Sequence, residues 1–121
     1  MILLDSNIII YSAAPEFEYL RDLFIPPHPY VSAITIVEAL GYRNLAMEDK
    51  KYLESLFLSL SIIPIDKRVI DKAVLLRQEN RIALGDSIIA STALVHGLTL
   101  YTRNTADFTK ISGLQLYNPL K

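Results

Sequence analysis

Short apolar runs alternate along the whole chain with stretches of helical periodicity, and that alternation leaves one fold class open. Ile2-Leu3-Leu4 is a continuous aliphatic run closed by Asp5, the pattern of a short strand buried on both faces of a parallel sheet. Tyr30-Val31, Ile62-Ile63-Pro64-Ile65, Leu98-Thr99-Leu100-Tyr101 and Leu114-Gln115-Leu116-Tyr117 read as further strands. Pro64 has no N–H to give to a ladder, so its strand is expected at a sheet edge. Pro15 opens a helix that carries Phe17, Leu20 and Phe24 on one side. Pro26, Pro27 and Pro29 then exclude helix and make a rigid connection. A helix is expected from about Ala33 to Asn44, and another from near Glu48, where Leu53, Leu56, Phe57 and Leu60 form an i, i+3, i+4, i+7 stripe. Asp66 caps a helix whose Val69, Ile70, Ala73 and Leu76 face the core. Asp86 to His96 is helical, with Gly97 as its stop. Strands separated throughout by helices imply a three-layer α/β/α domain, a parallel sheet with helices on both faces, spanning residues 1–121.

Composition narrows the function classes without choosing one. The chain has no cysteine, which excludes disulfides and thiolate metal sites and fits a reducing cytoplasm. No apolar run approaches the roughly 18 residues that span a bilayer. Met1-Ile2-Leu3-Leu4-Asp5 lacks the basic leader of a signal peptide, so a soluble cytoplasmic protein is expected. The 12 basic and 13 acidic side chains give a net charge of −1, without the basic excess of a protein that wraps duplex nucleic acid. Any nucleic-acid role must rest on a local patch or on a metal.

Three carboxylates, Asp5, Glu38 and Asp86, stand where apolar or neutral residues surround them. Asp5 ends the first strand, and in a parallel sheet function gathers at the carboxyl ends of strands. An Asp there also caps the following helix, worth about 1 kcal/mol. Glu38 has Ile34, Gly41, Tyr42 and Leu45 as same-face helix neighbours, none of them a cation. It therefore turns to solvent, finds an arginine elsewhere, or shares in a site, because an unpaired buried carboxylate costs several kcal/mol. Asp86 opens a helix, where an acid complements the dipole, but Gly85 before it permits close approach. Asp107 follows the fourth strand in Thr102-Arg103-Asn104-Thr105-Ala106-Asp107-Phe108 and reads equally as a solvated loop acid. His28 and His96 show no metal-ligand spacing. Acids brought to one cleft repel one another, and a divalent cation resolves the conflict. Oxygen-only ligands select a hard ion, Mg²⁺ or Mn²⁺, suited to phosphodiester hydrolysis.

On Ile2-Leu3-Leu4-Asp5-Ser6-Asn7, Val31-Ser32-Ala33-Ile34-Thr35-Ile36-Val37-Glu38, Asp86-Ser87-Ile88-Ile89-Ala90 and Leu100-Tyr101-Thr102-Arg103-Asn104-Thr105-Ala106-Asp107-Phe108, the chain resembles the PIN-domain family. Within that family it is similar to the toxin ribonucleases of toxin–antitoxin pairs, of the virulence-associated protein C type. The resemblance implies strand order 3-2-1-4-5 and an acidic triad of Asp5, Glu38 and Asp86 binding Mg²⁺ or Mn²⁺. It implies water attack on single-stranded RNA, a cognate antitoxin and a homodimer. Ser6 looks like the small polar residue that supports the first acid. The family's fourth acidic position falls on Asn104, which carries no charge, so Asp107 is expected to compensate. Arg103 is a candidate phosphate contact, since guanidinium pairs bidentately with phosphate oxygens.

Two other readings compete. A receiver-type signalling domain shares the length, fold class and strand-end acid. It places two adjacent acids after the first strand and a lysine after the fifth, where this chain has Leu4-Asp5 and Asn118-Pro119. A catalytically silent PIN-fold scaffold is the other, and Mg²⁺ calorimetry separates it from an enzyme.

Overall fold

The structure is a computed structural model that describes residues 1–121. Strands β1 (Ile2–Leu4), β2 (Tyr30–Ser32), β3 (Ser61–Ile63), β4 (Thr99–Tyr101) and β5 (Leu116–Tyr117) form one sheet in the order β3-β2-β1-β4-β5. Every pairing is parallel. The expected order and class are therefore observed. β1 lies at the centre, which is why its residues are wholly apolar: Leu3 and Leu4 are both 0% exposed yet belong to different cores. Successive side chains of a strand point to opposite faces. Leu4 packs with Ile8, Leu20, Val31, Leu53 and Phe57 on one face. Leu3 packs with Ile63, Ile89, Ala93, Leu100 and Phe108 on the other. Fully burying a leucine side chain stabilises by about 2 kcal/mol, so β1 ties the two layers together.

Helices α1 (Ser6–Tyr11), α2 (Ala33–Leu40), α3 (Met47–Ser59), α4 (Lys67–Glu79) and α5 (Leu84–His96) connect the strands. Several of their ends follow the sequence. Asp66 accepts from the Val69 N–H at 3.1 Å as the cap of α4. The stripe Leu53, Leu56, Phe57 and Leu60 is buried under the sheet. Gly97 closes α5 in the left-handed conformation, φ 65°, which only glycine adopts without cost. No helix is long and apolar enough to cross a membrane.

Other boundaries differ from expectation. Pro15–Phe24 is a 3-10 segment with a kink at Phe17, too irregular for an α-helix although Leu20 and Phe24 are buried as expected. α2 stops at Leu40, not Asn44, because Gly41 becomes its cap and its N–H bonds Val37 at 2.8 Å. α5 begins at Leu84, two residues before Asp86. β3 is at the edge, but Pro64 lies just beyond it rather than inside. Ile70 is 49% exposed: α4 packs on the core through Val69, Ala73 and Leu76, and Ile70 lies on the outer side of that stripe with Val74.

Candidate active site

The carboxyl ends of the two central strands, β1 and β4, supply the first elements of the site. Asp5 follows β1 directly, and its N–H bonds the Tyr101 carbonyl at 2.9 Å, continuing the β1–β4 ladder by one residue. The residue is 4% exposed. Both carboxylate oxygens are gripped: Oδ1 accepts from the Ser6 N–H at 2.7 Å, and Oδ2 from the Thr102 hydroxyl at 2.7 Å. Asn7 adds a longer hydrogen bond, Nδ2 to Oδ2 at 3.3 Å, while its own Oδ1 accepts from the Arg103 N–H at 3.3 Å. Asp5 thus caps α1 and also stands in the candidate site, and the two placements coexist.

Burial pushes the Asp5 carboxyl up from 3.8 to about 6. The hydrogen bonds from Thr102 and Ser6 act against that rise, and the charges of Asp86 and Glu38 add to it. Two elements distant in sequence therefore bring their acids to β1.

Glu38 comes from the last turns of α2. The Ser6 hydroxyl donates to its Oε1 at 2.5 Å, and the buried Thr35 hydroxyl lies 3.1 Å from the same Ser6 oxygen. The other carboxylate oxygen lies against Gly85 at the start of α5. A Cβ at Gly85 would stand 2.6 Å from Oε2 and 3.3 Å from Cδ of Glu38. Glycine there gives the carboxylate its place. Asp86 follows at once, half-buried, its carboxyl raised by burial first and then by the charges of Asp107 and Glu38.

Asp5, Glu38, Asp86 and Asp107 thus share one electrostatic neighbourhood. Asp107 ends the short 3-10 turn Thr105–Asp107 and is exposed. Asn104 caps that turn through its backbone, its N–H on the Thr102 hydroxyl at 3.1 Å and its carbonyl receiving the Asp107 N–H at 3.0 Å. Its side chain makes no hydrogen bond to the acids, whereas the charge of Asp107 raises the Asp86 carboxyl. Arg103 is exposed and turned to Tyr11, with a guanidinium–hydroxyl hydrogen bond and its carbon 5.0 Å from the ring centroid.

Asn7, Thr35 and Thr102 are supporting residues that sequence reasoning passes over. Thr102 carries a visible signal, a small polar residue at a strand end. Thr35 carries a weaker one, three residues before Glu38 on the same helix. No three of the carboxylates form a closed ligand group by themselves. The donor chemistry nevertheless fits a hard divalent cation: oxygen ligands only, with the Asp5 and Asp86 carboxyls raised by burial first and then by the charges of neighbouring acids.

Known proteins resemble this chain in sequence and in fold. The family model described as the PIN domain matches residues 2–114. Ribonuclease VapC1 of Rickettsia felis is 33% identical over 103 residues, covering 72% of this chain and 73% of its own length. Toxin FitB of Neisseria gonorrhoeae is 34% identical over 137 aligned positions, 98% of each chain. A toxin–antitoxin complex from Klebsiella pneumoniae contains a chain 32% identical, with TM-score 0.79 over 100% of this chain and 99% of that one.

Proposed function

Because the chain belongs to the PIN-domain family, we propose that it is a Mg²⁺- or Mn²⁺-dependent endoribonuclease acting on single-stranded RNA. The observation that carries this reading is the convergence of Asp5, Glu38, Asp86 and Asp107 from four separate segments at the carboxyl end of the sheet. A fold gains no stability by raising its own carboxyls, so a cationic ligand is the simplest reason to keep them together.

Asp5 and Asp86 would hold the ion, with Glu38 as the third ligand or as the group that orients the attacking water. The ion when bound would supply an activated water and neutralise charge on the phosphate. The protein's part is positioning. Thr102 and the Ser6 N–H fix the Asp5 carboxylate, and the Ser6 hydroxyl fixes Glu38. Arg103 stands on the Tyr11 ring, free of any carboxylate, and would offer its guanidinium to a phosphate oxygen. The similarity to toxins and to a toxin–antitoxin complex supports a role as the toxin of such a pair, working as a homodimer in the cytoplasm with a cognate antitoxin.

Purified protein should cleave single-stranded RNA with Mg²⁺ or Mn²⁺ and stop when a chelator is added. Asp86→Asn should keep the fold and lose at least about a hundredfold in kcat, since an amide is a poorer ligand for a hard cation. Equal cleavage by that variant at matched stability would remove the assignment. A folded parent that binds no metal would point to the silent scaffold instead.

A further inference from the structure

Past Asp86 the surface sinks into a second cleft of about 280 Å³, lined by Arg81, Ile82, Asp86, Asp107 and Lys110 among others. Arg81 lies in the loop before α5, and Lys110 follows the 3-10 turn that carries Asp107. The Lys110 ammonium donates to the Arg81 carbonyl, which joins these two loops. The ion pairs of the chain are Lys67–Asp71 and Asp66–Arg68, so neither Arg81 nor Lys110 has a carboxylate partner. They also differ from Arg21, Arg103 and Lys121, each of which stands over a tyrosine ring. Two cations without a carboxylate partner therefore share a cleft with two of the site's acids.

A polyanion approaching this site meets an electrostatic difficulty. A divalent ion compensates the carboxylates at the scissile phosphate, but neighbouring phosphates still face them. Cations beside the acids answer that: Arg103 stands on Tyr11 of α1, its N–H bonded to the Asn7 that also reaches Asp5, and Arg81 and Lys110 line the cleft with Asp86 and Asp107. At about 30 Å³ per water, the cleft has room for a phosphate and part of its sugar. We propose that the Arg81–Lys110 cleft is a phosphate subsite for the strand flanking the scissile bond. The single strand then runs from Arg103 across the acids to Arg81 and Lys110. This inference rests on the ribonuclease reading above and specifies how its substrate lies.

The test is steady-state cleavage of single-stranded RNA in Mg²⁺ across a series of NaCl concentrations, with the full chain and its Arg81→Gln, Lys110→Gln and Arg81→Lys variants. Arg81→Gln carries the test because the Arg81 side chain bonds nothing in the protein. It should raise KM about tenfold, leave kcat within about twofold, and leave Mg²⁺ affinity and Tm unchanged. The plot of log kcat/KM against log salt should become shallower by about 0.7 for each phosphate no longer neutralised. Lys110→Gln should shift KM and slope in the same direction, and Arg81→Lys should keep the parent slope. On an RNA too short to reach the cleft, Arg81→Gln and the parent should have the same KM. A parent-like KM and salt slope for Arg81→Gln on long RNA would overturn the subsite while leaving the ribonuclease reading intact. A parent that neither cleaves nor binds RNA would overturn both.

Discussion

Asp5 shows how a single residue serves folding and function at opposing energies. As a cap it bonds Ser6, and as a buried carboxyl it is held near pH 6 by desolvation and by Asp86 and Glu38. Between its ordinary 3.8 and about 6, the folded protein keeps a proton that the unfolded chain has released. Stability of the metal-free protein therefore falls as pH rises through that window and is level above it. The difference amounts to about 3 kcal/mol at 1.36 kcal/mol per pKa unit. Asp5→Asn removes the charge but has one acceptor oxygen where two are used, which costs about 1 kcal/mol in hydrogen bonding. In chelator at pH 7.5 the variant should therefore unfold at higher urea concentration, by about 2 kcal/mol. At pH 4, where the parent carboxyl is already neutral, the gain should be gone and the variant should be the less stable by up to about 1 kcal/mol. A variant less stable than the parent at pH 7.5 would mean that capping outweighs burial and repulsion together at this position. Asp5 itself is legible from the sequence, as an acid closing an aliphatic run. Thr102 shows only as a small polar residue at a strand end and Asn7 not at all, because what they do depends on β4 lying beside β1, which no local pattern states.

At the scale of elements, the strands are more legible than the helices. A buried strand announces itself by continuous apolar residues, whereas a helix end depends on which neighbour takes over its last hydrogen bonds. That is why Gly41 ends α2 early, and why Pro15–Phe24 keeps its buried Leu20 and Phe24 but not α-helical geometry. Helix α5 shows the same limit at Gly85. Helix propensity favours Ala over Gly by about 1 kcal/mol, so Gly85→Ala should hold or raise Tm. The added methyl, however, would stand 2.6 Å from the Glu38 carboxylate, whose other oxygen is tied to Ser6. A side-chain end can swing away at little cost to the fold, but it then leaves its position beside Asp86. Gly85→Ala is expected to melt no lower than the parent, yet to bind Mg²⁺ about tenfold more weakly by calorimetry. Unchanged metal affinity would show that Glu38 tolerates displacement and is not a ligand. The sequence hints at this glycine as a point of close approach, but which side chain approaches is a fact of tertiary structure.

At the scale of the whole molecule, the acids gather from segments separated by most of the chain. Asp5 ends the central strand, Glu38 lies on α2, Asp86 on α5 and Asp107 on the turn after β4. Their shared charge works against the compact state, so an ion bound among them should act as a cross-brace between the elements. Mg²⁺ at a hundred times its Kd should add about 2.7 kcal/mol to the folded state if it has no affinity for the unfolded chain. For a domain of this length, 1 kcal/mol moves Tm by about 4 °C, so the rise over a chelator-treated sample should approach 10 °C. The same ionic strength made up with NaCl should give much less, because screening weakens the repulsion without occupying the site. Asp5→Asn should flatten the Mg²⁺ response, since one ligand is lost and part of the repulsion is already relieved. Calorimetry on parent and variant, each with chelator, Mg²⁺ and matched NaCl, distinguishes bound ion from screening. If Mg²⁺ and NaCl raised Tm equally in the parent, the cluster would be a region of negative charge and not a metal site.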